Sequence, residues 1–190
     1  MRICVYGASS DYIDRLHLEA GEKLGELIAK GGHTLVFGGG AQGMMGAAAR
    51  GTSRQKGKIL GISPSFFNVD GILYQHCTEF IYTDTMRERK QLLEEKSDAF
   101  IMTAGGIGTF EEFFEILTLK QLATHNKPIV VLNTGHYYDD MLKMLRTAVD
   151  GKFMQEATLG LFTVTSTPEE ALEACLMAQE QKDIHELKHI

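Results

Sequence analysis

The chain has 190 residues, with 19 lysines and arginines against 25 aspartates and glutamates, which gives a net charge of −6. One domain is the usual content of a chain of this length, and a composition of 44% hydrophobic and 23% charged residues argues against wholesale disorder. A net negative chain lacks the basic surface of a duplex-binding protein, so nucleic acid is not an expected partner.

Cysteine spacing and hydrophobic runs bear on the cellular compartment. Cys4, Cys77 and Cys175 are far apart and form no C-x-x-C pair, which argues against a disulfide framework or a zinc ribbon. No run reaches the ~18 apolar residues that a membrane span requires. The sequence also begins directly with a strand-like segment, which leaves no room for a signal peptide. We therefore expect a cytoplasmic protein that makes no membrane contact.

Short apolar strands alternate with helical patterns in the first half of the chain. Ile3 to Tyr6 has the apolar, partly β-branched composition of a buried strand, and a helix-period pattern follows that ends at Gly31-Gly32. The predicted elements are, in order, strand 3–6, helix 12–30, strand 34–37, helix 44–54, strand 58–62, loop 63–77 and strand 80–82.

The same alternation continues in the second half, where Thr85-x-x-Glu88 provides a capping box for the first helix. The predicted elements are helix 85–96, strand 99–103, helix 110–123, strand 129–132, helix 138–149, strand 162–164 and helix 168–181. This pattern is typical of a Rossmann-like α/β fold with a mostly parallel sheet and helices on both faces. We expect one nucleotide-binding domain over residues 1–180 and a polar tail over 181–190.

Ligands of such sheets bind at the carboxyl ends of strands, and a first glycine loop lies there at residues 38–46. Gly38, Gly40 and Gly43 match G-x-G-x-x-G. A dinucleotide site also needs an acidic residue ~20 positions further on, and none follows the next strand. The loop lacks the Lys-Ser/Thr pair of a P-loop. Packing alone does not explain so many glycines, so we expect part of the loop to contact a ligand.

A second glycine loop, residues 104–109, lies between strand 99–103 and a helix. Gly105, Gly106 and Gly108 allow backbone N–H groups to approach a ligand, and Thr109 adds a hydroxyl. Together with the positive end of the helix dipole, they predict a phosphate cradle that has no lysine. The alternative is that Thr109-x-x-Glu112 is a capping box that serves only the helix. The three glycines favour the cradle.

A basic segment lies near the start of predicted helix 85–96, where Arg87, Arg89 and Lys90 follow one another closely. Three cations at this position oppose the helix dipole unless an anion compensates them. The simpler interpretation is a solvated face on which Lys90 pairs with Glu94. The second glycine loop follows one strand later, which favours a pocket shared by the two segments.

These segments together are similar to one protein family. The sequence resembles the LONELY GUY (LOG) family, formerly labelled as lysine decarboxylases, whose pattern is GGG-x-x-G-hydrophobic-M-G, then M-H-x-R-K, then P-G-G-x-G-T-x-x-E. The corresponding segments here are 38–46, Met86-Arg87-Glu88-Arg89-Lys90 and 104–112, in the same order. The resemblance extends from Arg2 to about Thr165, which is nearly the whole chain.

The resemblance implies a phosphoribohydrolase that needs no metal or cofactor. Its substrate would be a nucleoside 5′-monophosphate, AMP or a cytokinin-type nucleotide, and its products a free base and ribose 5-phosphate. It implies that Arg89 and Glu112 are catalytic and that the protein is a homodimer with the site near the interface. The other implied residues bind phosphate (Gly105, Gly106, Gly108 and Thr109) or line the substrate pocket (Ser9, Gly39, Gly40, Gly43, Met86 and Lys90).

Two positions depart from the family pattern. Ala104 stands in place of proline, which frees the backbone before the cradle. Arg87 stands in place of histidine, and we expect it to add positive charge where the base or its neighbours lie. This second change bears on base preference more than on the class of reaction.

Three other interpretations compete with this enzyme. A non-catalytic nucleotide or molybdenum-cofactor carrier module is the main alternative, although Arg89 and Glu112 at their motif positions favour turnover. A lysine decarboxylase would need a lysine that holds pyridoxal phosphate, and no residue identifies one. The sequence from His185 to His189 matches the HExxH pattern of zinc proteases. It lies in a polar stretch beside the C-terminus, where we expect a solvated tail.

Overall fold

The structure is a computed structural model that describes residues 1–187, with side chains described as far as residue 178. Two 3-10 turns, Ser65–Phe67 and Thr134–His136, accompany the strands and α-helices. In chain order these are β1 (Arg2–Tyr6), α1 (Arg15–Lys30), β2 (Thr34–Phe37), α2 (Gly43–Arg54), β3 (Lys58–Pro64), β4 (Glu79–Thr83), α3 (Met86–Glu95), β5 (Ala99–Met102), α4 (Ile107–Gln121), β6 (Ile129–Leu132), α5 (Asp139–Asp150), α6 (Glu156–Leu159), β7 (Thr163–Thr165) and α7 (Pro168–Leu187).

The seven strands form one sheet in the order β4-β3-β2-β1-β5-β6-β7, and every neighbouring pair is parallel. The predicted Rossmann-like α/β fold is confirmed. The chain first proceeds from β1 outwards to β4, and then returns to the other side of β1 to place β5 there. Val5 accordingly pairs with Phe37 of β2 and with Ile101 of β5. This reversal between β1 and β5 is the switch point at which such sheets bind ligands.

Alternate residues of the strands build a separate core on each face of the sheet. On one face, Ile3 and Val5 pack in a cluster with residues of α1, α2 and α7, among them Leu24 of α1. On the other face, Cys4 and Tyr6 belong to a cluster with residues of α3, α4 and α5. Burial of both faces explains why the strands are apolar runs with little polar alternation.

Some helices begin at other residues than predicted, because capping residues set their first turn. Helix α1 begins at Arg15, not at residue 12, because the Asp14 side chain accepts a hydrogen bond from the Leu16 amide at 2.8 Å. The capping box of Thr85 and Glu88 is confirmed at the start of α3. Helix α6 was not predicted, and its four residues are too few for a periodic pattern.

The last helix, α7, begins at Pro168 and continues to Leu187, through most of the segment predicted as a polar tail. The HExxH sequence from His185 to His189 lies outside the residues whose side chains are described. None of the helices within the described residues is long and apolar enough to cross a membrane.

Candidate active site

A cavity of about 630 Å³ lies at the carboxyl ends of the central strands, a volume within the range of small-molecule sites. Its walls come from the segments that follow β1 (7–10), β2 (38–45) and β5 (106–112), and from the start of α3. The cavity therefore lies over the switch point between β1 and β5. Both predicted glycine loops contribute to it.

Two charged side chains from different helices meet in its wall. Arg89 of α3 donates through Nη1 to Oε1 of Glu112, on α4, over 2.7 Å. Arg89 is 7% exposed and Glu112 is 8% exposed. Glu112 Oε2 has no hydrogen-bond partner within the described part of the chain. One carboxylate oxygen is thus held by the guanidinium, while the other remains available for a ligand.

Burial raises the pKa of Glu112 above its ordinary value, and the Arg89 guanidinium beside it acts in the opposite direction. The two residues line the same cavity. A carboxylate with a raised pKa accepts a proton more readily than an ordinary one. The arrangement can therefore supply a general base or stabilise a nearby positive charge.

Gly38 makes room for the guanidinium of Arg89. A Cβ added to Gly38 would overlap Nη2 of Arg89 and would also approach Met45 Sδ at 3.2 Å. No side chain larger than hydrogen fits there without displacing the arginine. Sequence reasoning did not assign this role to Gly38, although the glycine run itself is the signal of a close approach at this point.

The first turn of α4 presents unpaired donors to the cavity. Gly106 is the N-cap and provides no side-chain cap, and the amides of Ile107, Gly108 and Thr109 have no acceptor within the described residues. The hydroxyl of Thr109 also has no hydrogen-bond partner among those residues. Since Thr109 is the third residue of the helix, the capping box proposed for it and Glu112 is wrong. This end of α4 can hold an anion.

The structure brings some of the predicted site residues to the cavity, whereas others are not part of its lining. Those that line it are Arg89, Glu112, Gly106, Gly108, Thr109, Ser9, Gly40 and Met86, and those that do not are Gly39, Gly43, Gly105 and Lys90. Gly39 and Gly43 have φ of +81° and +61°, so they shape the first loop where other residues would be strained.

Lys90 and Arg87 belong to a different cavity, of about 290 Å³, which lies between α3 and α4. Lys90 Nζ pairs with Glu111 Oε1 at 2.5 Å and with Glu115 Oε2 at 3.1 Å, not with Glu94 as the helical spacing suggested. Its hydrogen bond to Glu111 raises the pKa of Lys90. Arg87 lines this second cavity and not the main one, although Glu112 lines both, so the expectation that Arg87 adds charge beside the base stays a prediction.

An apolar part of the main cavity was not predicted. Phe67, Ile72 and Leu73 line it, and all three come from the segment that showed no periodic pattern. Hydrogen bonds between this segment and the first glycine loop hold it there, including Ala41 N to Ile72 O at 2.9 Å. No sequence motif marks these residues, so only the fold brings them to the site.

The described side chains do not form a recognisable metal site. They contain no group of three or more histidine, cysteine, aspartate or glutamate residues positioned to hold a metal ion. Cys4, Cys77 and Cys175 are free thiols. Burial raises the pKa of Cys4 and Cys175 to about 12 each.

The sequence matches a known family model and is similar to proteins of known name. A family model described as "Possible lysine decarboxylase" matches residues 45–175. The chain is 36% identical over 173 residues to the cytokinin riboside 5′-monophosphate phosphoribohydrolase of Mycobacterium tuberculosis, covering 91% of this chain and 92% of the relative. It is 38% identical over 154 residues to the protein of the same name from Rhodococcoides fascians, covering 80% and 78%.

A solved structure shares the fold. The Moco carrier protein from Chlamydomonas reinhardtii superimposes with a TM-score of 0.72 at 23% identity, covering 95% of this chain and 98% of that one. At this level of identity the likeness concerns the arrangement of strands and helices. The sequence relatives therefore carry more weight for the chemistry of the site.

Proposed function

This chain belongs to the LONELY GUY (LOG) family, and we propose that it hydrolyses the N-glycosidic bond of nucleoside 5′-monophosphates to a free base and ribose 5-phosphate. The observation that carries the proposal is the buried pair of Arg89 and Glu112, 2.7 Å apart, in a cavity that also contains the start of α4. AMP and cytokinin-type nucleotides are the substrates that we propose.

The phosphate binds at the first turn of α4 in this proposal. The backbone N–H groups of Gly106 and Gly108 are sterically accessible, since a Cβ added to either residue would meet nothing within 4 Å. Thr109 adds its amide and its hydroxyl. Gly105 lies behind this turn, where an added Cβ would overlap the Thr109 side chain. The helix dipole and the unpaired amides favour an anion here.

Glu112 lies three residues after Thr109 on the same helix, about one turn or 5 Å further along. A nucleotide held by its phosphate thus extends its ribose towards this carboxylate. We propose that Glu112 takes a proton from a water molecule as the water oxygen bonds to C1′. The C1′–N bond breaks, and its electron pair leaves with the base nitrogen, which is protonated by solvent. The same carboxylate stabilises the positive charge that develops on the ribose.

Arg89 holds Glu112 in place for this step and favours the ionised form of the buried carboxylate. The base lies in the remaining space, beside Ser9, Gly40 and Met86, where Phe67 and Ile72 offer apolar surface. Gly39 and Gly43 act by shaping the loop. Lys90 acts through its ion pair with Glu111, which itself lines the cavity.

We further propose that the protein is a cytoplasmic homodimer with the site near the subunit interface. Phe67, Ile72 and Ile107 line the cavity, yet they are 41%, 46% and 85% exposed in the single chain. Apolar surface of this kind at a cavity is typical of a surface that a second subunit covers. The free thiols are in keeping with a reducing compartment. Light scattering of the purified protein tests the assembly.

The proposal is tested by incubating the purified protein with a panel of nucleoside 5′-monophosphates and measuring free base by chromatography. We expect release of base from one or more of them, with nucleosides that lack the phosphate reacting far more slowly. Binding without release from any nucleotide would contradict the proposal and favour the carrier-type binding module.

A further inference from the structure

Three consecutive carbonyl groups before α4 accept hydrogen bonds from separate parts of the chain. The Tyr138 hydroxyl donates to Thr103 O at 2.7 Å, and the Tyr137 hydroxyl donates to Gly105 O at 2.8 Å. The carbonyl between them accepts from the amide of Ala8 at 3.0 Å. These hydrogen bonds fix the orientation of the peptide groups that precede the phosphate cradle. Two of the three donors are tyrosine hydroxyls.

The two tyrosines differ in their surroundings. Tyr138 is 1% exposed and belongs to the core, whereas Tyr137 is 45% exposed. The ring of Tyr137 meets His17 and Tyr138 edge-on, with centroids 5.5 Å and 4.8 Å apart. Tyr137 contributes less to the core. Its hydrogen bond to the Gly105 carbonyl is therefore the contact that requires a tyrosine hydroxyl at this position.

The Gly105 carbonyl has an alternative partner. In an α-helix each carbonyl accepts from the amide four residues later, which for Gly105 is the amide of Thr109. Regular helical bonding begins one residue further on, where the Phe110 amide donates to Gly106 O at 3.0 Å. With the Tyr137 hydroxyl bound to the Gly105 carbonyl, the Thr109 amide has no acceptor within the described part of the chain.

The free amides matter because cations are scarce at this site. Arg89 is the one lysine or arginine, among the described residues, that lines the main cavity, and it is already paired with Glu112. A phosphate therefore depends on backbone donors and the helix dipole. An α4 extended backwards by one residue would remove the Thr109 amide from those donors.

We propose that Tyr137 is a positioning residue for phosphate binding: its hydroxyl holds the Gly105 carbonyl out of helical bonding and so keeps the Thr109 amide available to the 5′-phosphate. This inference rests on the proposed function for its substrate. Tyr138 fixes the Thr103 carbonyl, two residues before Gly105, from within the core.

The test compares Tyr137→Phe with the wild type, and uses Tyr82→Phe as a matched control. Tyr82 is half-exposed on β4, and its hydroxyl makes no hydrogen bond within the described residues. We expect Tyr137→Phe to weaken binding of inorganic phosphate and of ribose 5-phosphate by roughly five- to ten-fold, the worth of one hydrogen bond. KM for the nucleotide rises by the same factor, kcat stays within about two-fold, and adenosine binding does not change.

Hydrogen exchange of the Thr109 amide provides a second readout, and its first part uses only the wild type. In the unliganded wild type this amide should exchange quickly and become protected when inorganic phosphate is added, and in Tyr137→Phe it should be protected without phosphate. Slow exchange in the unliganded wild type, unchanged phosphate affinity in Tyr137→Phe, or a fall in kcat at constant KM would overturn the inference. Phosphate binding and exchange decide this point even if the wild type releases no base.

Discussion

Arg89 and Glu112, 23 residues apart in the chain, form a 2.7 Å hydrogen-bonded ion pair that is almost fully buried at the edge of the cavity. The pair joins α3, which follows β4 at the edge of the sheet, to α4, which follows β5 near its centre. Burying two charges is costly unless they are paired. A pair kept beside a cavity, with one carboxylate oxygen unbonded, is the arrangement expected of a reactive group.

Replacing Glu112 by Gln tests the role of the carboxylate. The amide has nearly the same shape but cannot accept a proton from water, so base release should fall on the order of 10²–10⁴-fold. Ribose 5-phosphate should still bind, because the start of α4 is unchanged. Glu115→Gln, on the same helix but outside the main cavity, should remain close to the wild type. Chromatography of the base and calorimetry of binding measure both effects.

Gly38→Ala tests whether the position of Arg89 matters. The added methyl group overlaps Nη2 of Arg89, so the guanidinium must shift away from Glu112. A displacement of about 1 Å at a reacting group costs roughly 100-fold in rate. Gly160→Ala is the control, since its nearest neighbour to an added Cβ is Ala157 O at 3.3 Å. Equal activity of Gly38→Ala and the wild type would show that the close approach of Arg89 to Gly38 has no catalytic role.

The pH dependence of kcat/KM follows from the raised pKa of Glu112. The carboxylate must be ionised to act as a base, so activity should fall as pH decreases through a midpoint above 4.5, the ordinary value for glutamate. Arg89→Gln removes the cation that favours the ionised form, so the midpoint should move to higher pH and the maximum rate should fall. Arg54→Gln removes an exposed arginine and should leave the profile in place. A wild-type midpoint below that of ordinary glutamate would contradict this assignment.

Arg87→Ala tests whether Arg87 contributes to base preference. Arg87 lines the cavity between α3 and α4, not the one that contains Arg89 and Glu112 together with the start of α4. The ratio of kcat/KM between AMP and the other nucleoside 5′-monophosphates should therefore change by less than about two-fold, since no contact with the base is lost. A larger change in that ratio would mean that Arg87 reaches the base.

Sequence patterns were sufficient for the elements whose signals are local. Strand 34–37 was predicted with its observed ends because apolar β-branched residues lie between glycine stops, and Thr85 was recognised as a cap because its partner lies three residues away. The start of α4 was misplaced because Thr109 and Glu112 have the spacing of a capping box. Gly106 is instead the N-cap, so neither side chain caps the helix and both line the cavity.

Tertiary contacts decided the features that the sequence could not reveal. Phe67 and Ile72 reach the cavity through hydrogen bonds between two distant loops, and no periodic pattern marks their segment. Lys90 was expected at the substrate because it matches the lysine of the family's M-H-x-R-K segment, directly after Arg89. On a helix, however, adjacent residues point about 100° apart, and Lys90 instead faces Glu111 and Glu115.

The most direct measurement of the central claim is the product balance of the wild-type protein with AMP, followed by mass spectrometry. Hydrolysis at C1′ predicts adenine and ribose 5-phosphate in equal amounts, with no adenosine and no inorganic phosphate. Bound AMP that remains intact, or adenosine formed together with inorganic phosphate, would contradict the claim that Glu112 and Arg89 act on the N-glycosidic bond.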